Sequence, residues 1–210
     1  LGVKTVIAFE KFHTYKIPYN KIEIEVAAAR RETYSPDSRK PNQVTLTSVK
    51  DDLSRRDFTV NAIAVSLMKD NLGELFDPLN GIADLNKGIL ITPKDPDTTF
   101  SDDPLRMLRA IRFATTLKFK IDDKALESIK KQSHRIKIIS YERITAEIIK
   151  ILSADKPSIG FYLLKETNVL LKLCLSPKYS SFLHFTRSVR QMSNHGGLRD
   201  GTAHFGCRVV

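Results

Sequence analysis

Asp102-Asp103-Pro104-Leu105-Arg106-Met107-Leu108-Arg109-Ala110-Ile111-Arg112-Phe113 is the stretch on which the reading of this chain turns. One carboxylate and three guanidiniums, Asp103, Arg106, Arg109 and Arg112, recur at intervals of three. On a helix each step of three turns a side chain back by roughly 60°, so the four lie along one slanting stripe. Asp103 suits the N-cap of that helix and Pro104 its first position. Leu105, Leu108 and Phe113 then point elsewhere, toward a core. A carboxylate beside forked cations suits a nucleotide, with the Asp–Arg end matching a base edge and the later arginines matching phosphates. Taken alone, a basic stripe on an amphipathic helix is more often a solvated face.

The company the stripe keeps shifts that balance. Arg55-Arg56-Asp57-Phe58-Thr59-Val60-Asn61-Ala62 lies upstream of it, and Asp77-Pro78-Leu79-Asn80-Gly81-Ile82-Ala83-Asp84-Leu85 falls between the two. Arg143-Ile144-Thr145-Ala146-Glu147 follows. In this order and spacing the four segments resemble the second to fifth motifs of the class II tRNA nucleotidyltransferase and poly(A) polymerase family, which includes the CCA-adding enzymes. The fourth is usually written Glu-Asp-x-x-Arg, and here Asp102 replaces the Glu. Glu25-Val26-Ala27-Ala28-Ala29-Arg30 and Glu32-Thr33-Tyr34 are similar to the family's late head strand and following loop. The resemblance covers about residues 5 to 170.

It implies template-independent addition of C and/or A nucleotides to tRNA 3′ ends, from CTP and ATP, with Mg²⁺. Arg56 is implied to contact the nucleotide phosphates. Asp57 and Asn61 bind ribose hydroxyls or hold the local turn; a cation for phosphate and a short acceptor for a ribose donor are what that chemistry needs. Asp103 and Arg106 are implied to select the base, and Arg109 and Arg112 to steady the triphosphate. Asp103 accepts from the exocyclic amine of C or A, and Arg106 donates to the ring nitrogen or carbonyl. A bidentate contact of this kind discriminates by about 1–3 kcal/mol. Arg143 and Glu147, spaced i, i+4, read as an intrahelical ion pair that braces the neck.

Two departures matter. The family's first motif, a Gly-rich turn followed by a strand with Asp-x-Asp, is not found, so the metal pair is expected before residue 1. Two cations on the order of 4 Å apart would be held there. Glu25 is left as an accessory carboxylate near the active site by family position, although Glu23 and Glu25 share a face of a kind that is ordinarily solvated. Asp95-Pro96-Asp97 matches Asp-x-Asp in letters only, since a central Pro places it in a linker. After about Val169 the family pattern fades, and residues 176–210 read as a disordered basic tail or an unnatural continuation such as follows a frameshift.

Composition adds partners and exclusions. A net charge of +10 and a pI of about 9.6 favour a polyanionic partner. With six Tyr, eleven Phe and no Trp, an aromatic stacking platform is not evident, so the charge supports tRNA binding through phosphates. No apolar run reaches the length of a membrane span, and no signal peptide is recognised. Cys174 and Cys207 form neither a disulfide framework nor a zinc pattern, which fits a reducing cytoplasm. The histidines are scattered, without ligand spacing. A chain starting at Leu1 rather than Met is expected to be an internal piece.

Along the chain, Val3–Phe9 reads as a strand, and Tyr15–Ile17 with Ile22–Ala28 as a hairpin whose second strand alternates apolar and acidic residues, giving one buried and one polar face. The Pro-bearing and charged segment Arg30–Asn42 reads as a mobile loop. Val44–Thr47 suits a short strand, and a helix capped by Ser48 or Asp51 runs through Arg56. Thr59–Leu67 is a buried helix or strand. Glu74–Asp77 and Ile89–Thr92 suit edge strands around a helical turn at Asp84–Lys87. Helices are expected at about 104–117, 122–131, 141–152 and 157–167.

The expected fold is α+β: a partial nucleotidyltransferase head sheet over 1–95, a helical neck over 96–170, and a basic tail over 171–210, with Thr92–Thr99 as linker. The competing readings are a poly(A) polymerase-type enzyme and a non-catalytic RNA- or nucleotide-binding remnant.

Overall fold

A computed structural model gives the fold, and the structure describes residues 6–9, 14–20, 22–34 and 41–175, with no account of the side chains at 31–34 and 41–44. Of the expected tail over 171–210, the first residues belong to a helix at Val169–Cys174, and 176–210 lie outside the described residues. Strands β1 (Ile7–Phe9), β2 (Thr14–Tyr19) and β3 (Ile22–Ala27) form an antiparallel meander turning at Asn20, whose φ of 54° is left-handed. Register pairs Tyr15 with Val26, Ile17 with Ile24 and Tyr19 with Ile22, which puts all six on one face. The other face carries Lys16, bonded to Glu23 at 2.6 Å, together with Glu25. The alternation was legible, but burial of the apolar face is not seen: Ile22, Ile24 and Val26 are exposed among the described residues.

The expected mobile loop is corrected in its described parts. Arg30–Tyr34 is strand β4 and Pro41–Leu46 is β5, paired antiparallel with a register shift at Thr33/Tyr34. Pro41 is tolerated because it opens its strand. Helix α1 (Val49–Ser54) follows, capped by Ser48, whose Oγ accepts from the Asp51 N–H at 3.2 Å. A short 3₁₀ turn at Thr59–Asn61 and strand β6 (Ala64–Val65) occupy the stretch whose periodicity left helix and strand open. β6 pairs with β7 (Leu75–Phe76).

Helix α2 (Gly81–Lys87) starts where the Asp77 carboxylate accepts from the N–H groups of Gly81 at 2.7 Å and Ile82 at 2.9 Å. A Cβ on Gly81 would stand 2.2 Å from the Thr59 carbonyl oxygen, so α2 rests directly on the Thr59 turn. Thr59 Oγ1 donates to Asp84 at 2.7 Å, and the Thr59 N–H to the Ile91 carbonyl at 2.9 Å. Strand β8 (Ile89–Leu90) leaves this knot.

The expected linker is also corrected. Pro96–Asp102 is helix α3, with Asp95 as N-cap and Pro96 in its first turn. Asp97 is not a solvated loop acid: it pairs with Lys131 and accepts from Ser128 Oγ at 2.6 Å. Helix α4 (Leu105–Leu117) comes next, and β9 (Lys120–Ile121) pairs in parallel with β8. Helices α5 (Asp123–Gln132), α6 (Tyr141–Leu152), α7 (Pro157–Glu166) and α8 (Val169–Cys174) complete the described chain. Leu105, Leu108 and Ile111 of α4 are buried with Ile129, Ile144, Ile148, Ile151 and Leu164 in the main core. Phe113 is partly buried, edge-on to Phe58 with ring centroids 5.9 Å apart.

Candidate functional site

The end of α1 forms one wall of a cavity of about 440 Å³, lined among others by Glu25, Arg30, Asp52, Arg55, Arg56 and Ala64. Arg56 is half exposed and reaches Asp52 Oδ2 at 3.3 Å. Arg55 lies closer in, its Nε donating to the Arg30 carbonyl at 2.8 Å and its guanidinium to Asp52 Oδ1 at 2.7 Å. Burial of Asp52 pushes its carboxyl up. The Arg30 N–H, then the Arg55 hydrogen bond and the charges of Arg55 and Arg56, outweigh burial and hold it below the usual carboxylate range. Glu25 is exposed on β3 and lines the same cavity.

Beyond Arg56 the chain turns inward and buries Asp57. Its Oδ1 accepts from the Phe58 N–H at 3.0 Å and from Asn61 Nδ2 at 3.1 Å. Its Oδ2 accepts from Arg109, with Nε at 2.7 Å and a terminal nitrogen at 2.6 Å. Arg106, one turn earlier on α4, donates to the Arg55 carbonyl at 2.6 Å and to the Thr99 carbonyl at 3.3 Å. The expected helix start is corrected by one residue: Pro104 is the N-cap and Leu105 the first helical residue, while Asp103 closes α3 in an extended conformation and its Oδ1 accepts from the Leu105 N–H at 3.2 Å. Its Oδ2 meets Arg143 at 2.9 Å. Arg112 turns the other way, to Glu147 Oε2 at 2.6 Å, with its guanidinium 3.8 Å from the centre of the Phe113 ring.

Arg56, Asp57, Asn61, Arg106 and Arg109 are thus joined by direct bonds or by the Arg55–Asp57 backbone. Asp103 sits at the head of the same helix. Arg112 is drawn aside to α6, and Glu25 makes no bond to the rest. The intrahelical pair expected between Arg143 and Glu147 is corrected: Arg143 crosses from α6 to Asp103 at the junction of α3 and α4, and Glu147 to Arg112 of α4. Sequence reasoning missed Asp52 altogether. Its spacing of three and four before Arg55 and Arg56 was the available signal.

Every charged group of the α4 stripe has a partner, so this is a polarised surface in which guanidiniums are held in fixed directions. Such a surface can grip phosphates and read a base edge. No group of three or more His, Cys, Asp or Glu side chains suited to a metal is present among the described residues. Asp52 and Asp57, the two buried carboxylates closest in sequence to Arg56, are committed to arginines. The donor set among the described residues does not fit Mg²⁺.

Comparison with known proteins places this architecture. Residues 3–91 match the poly A polymerase head domain, and residues 118–180 match the probable RNA and SrmB-binding site of polymerase A. The chain belongs to the class II tRNA nucleotidyltransferase and poly(A) polymerase family. It is 39% identical over 171 residues to the CCA-adding enzyme of Geobacillus sp. (strain WCH70), covering 81% of this chain and 41% of that protein. To the CCA-adding enzyme of Ligilactobacillus salivarius (strain UCC118) it is 36% identical, covering 77% and 40%. The chain therefore spans about two fifths of the length of these curated relatives. The crystal structure of the Bacillus stearothermophilus CCA-adding enzyme in complex with CTP superposes with a TM-score of 0.68 at 30% identity, over 80% of this chain and 40% of that one. The Thermotoga maritima CCA-adding enzyme complexed with tRNA gives 0.70 at 25% identity, over 93% and 45%.

Proposed function

We propose that this chain is the head-and-neck part of a cytoplasmic, template-independent nucleotidyltransferase that adds C and A nucleotides to tRNA 3′ ends. Residues 1–95 belong to the head and those from 96 to the neck, which α8 carries past the expected end at 170 to Cys174, with a basic tail beyond it. In the reaction the tRNA 3′-hydroxyl attacks the α-phosphate of CTP or ATP, and pyrophosphate leaves. The observation that carries this reading is the bond between Arg109 and Asp57, which ties the arginine stripe of α4 to the Arg56–Asn61 segment. Relatives and superposed structures that are CCA-adding enzymes, one bound to CTP and one to tRNA, support it.

The roles follow from capacity left over. A carboxylate offers about four acceptor sites and a guanidinium five donors. Asp103 uses its sites on Leu105 and Arg143, leaving room for the exocyclic amine of C or A. Arg106 spends two nitrogens on backbone carbonyls and keeps other N–H groups for the ring nitrogen or carbonyl. Arg56 and Arg109 face the phosphates. Arg112 joins them only by exchanging Glu147 for a phosphate. Asp57 has its acceptor sites filled by Phe58, Asn61 and Arg109 and holds the local turn, Asn61 serves the ribose end, and Glu25 stands by as an accessory carboxylate. Mg²⁺ is the cation this chemistry calls for, and the described residues contribute nucleotide selection rather than metal binding.

Titrating CTP, ATP, UTP and GTP calorimetrically into the chain tests this. CTP and ATP are expected to bind about tenfold or more tightly than UTP and GTP, matching roughly 1–3 kcal/mol of base discrimination. Asp103→Ala should erase the difference. Equal affinity for all four nucleotides in the unaltered chain would refute the selection mechanism, and no binding at all would leave a remnant without nucleotide function. The match to a poly A polymerase head favours a second reading, poly(A) synthesis, in which ATP alone is preferred.

A further inference from the structure

We infer that Asp52 is a positioning residue of the nucleotide site, locking Arg55 in place and holding Arg56 over the cavity on a bond that a phosphate can replace. The inference rests on the nucleotidyltransferase reading and goes beyond it, since Asp52 has no part in base selection. Its two oxygens carry unequal loads. Oδ1 takes the Arg30 N–H at 3.1 Å and Arg55 at 3.0 and 2.7 Å. Oδ2 takes Arg56 at 3.3 Å, longer than the roughly 2.7–2.9 Å of a strong charge-assisted bond. Arg55 is tied a second time, to the Arg30 carbonyl, and 24% of its side chain is exposed against 50% for Arg56.

The arrangement separates two tasks. Arg55 with Asp52 pins α1 to the start of β4, and its own carbonyl receives Arg106. Arg56 is left with one long bond on the rim of the 440 Å³ cavity. A triphosphate oxygen at ordinary distance outcompetes that bond. Until one arrives, the Asp52 charge limits the directions the long Arg56 side chain explores, so less ordering is required on binding. The Arg30 N–H and the two arginines outweigh the burial of Asp52 and hold its carboxyl below the usual carboxylate range, which favours the charged form.

The test compares CTP with CMP, since the inference places Arg56 on the β- and γ-phosphates, which CMP lacks. In the full chain, Asp52→Asn is expected to weaken CTP about tenfold, the scale of one hydrogen bond to a charged group. CMP should change by less than about twofold, so the CTP-to-CMP affinity ratio collapses. Asp52→Glu, which keeps the charge but displaces it by one methylene, should lower the ratio about threefold; it serves if the Asn variant does not fold. Equal weakening of CTP and CMP would mean a general loosening of α1 and would overturn the inference, as would an unchanged ratio. Failure of the unaltered chain to bind CTP would overturn the nucleotide-site reading and this inference together. Normal CTP binding with an unchanged ratio in the variants overturns only the role of Asp52.

Discussion

Arg112 and Glu147 meet at 2.6 Å with 14% and 5% of their side chains exposed, while Lys150 reaches the other Glu147 oxygen at 3.3 Å. Taking Glu147 away leaves the buried Arg112 charge without its counter-ion, and that loss dominates over the net worth of the pair. Glu147→Ala is expected to lower the unfolding free energy by about 3 kcal/mol, measured by urea denaturation. The double change of Arg112→Met with Glu147→Leu should recover most of it, because neither charge then remains to be solvated. A loss below about 1 kcal/mol for the single variant would show that water reaches Arg112 easily. Asp57 follows the same logic but is tied at both oxygens, by Asn61 and the Phe58 N–H on one side and Arg109 on the other.

Helix α4 shows what sequence can and cannot tell about an element. Its limits, to within a residue, and its inward face were legible, because Pro104 and the spacing of Leu105 and Leu108 obey a single local period, although Phe113, read with them, is only partly buried. Its ion pairs were not, because each partner comes from a remote segment: Asp57 lies 52 residues before Arg109, and Glu147 35 residues after Arg112. The local rule of i, i+4 pairing for Arg143 and Glu147 lost to these tertiary partners. Helix α3 hid behind its Pro and Asp residues, which here cap rather than break, and Lys131 and Ser128 of α5 hold its Asp97. The β4–β5 pair was obscured by charge and proline, and α8 by its shortness. The end of α4 offers a check at this scale. Lys118 closes it at φ 59°, a left-handed conformation that a side chain adopts at a cost of about 1 kcal/mol. Lys118→Gly should therefore raise stability by about 0.5–1 kcal/mol despite losing a 3.9 Å exposed contact to Asp155. A drop would mean that the contact or the entropy of glycine outweighs the relief.

At the scale of the whole molecule, the mixed α+β architecture was legible from the change of period near residue 104, and the described structure holds its main core around α4. The apolar face of β1–β3 was read correctly as a face and wrongly as buried, since burial depends on what packs against it. No helix among the described residues is long and apolar enough to cross a membrane. The net charge of +10 is a property of the entire chain and supports the proposed polyanionic substrate without locating it. The proposed site rests on the connection of Arg56, Asp57, Asn61, Asp103, Arg106 and Arg109 through two segments far apart in sequence. Amide and guanidinium NMR shifts of the chain, followed during titration with CTP, test that connection most directly. The account predicts that signals of these six residues move together along one saturation curve, with β9 and α7 unaffected. Shifts centred on β9 and α7, or separate curves for the Arg56 and Arg106 groups, would contradict a single nucleotide-selecting site.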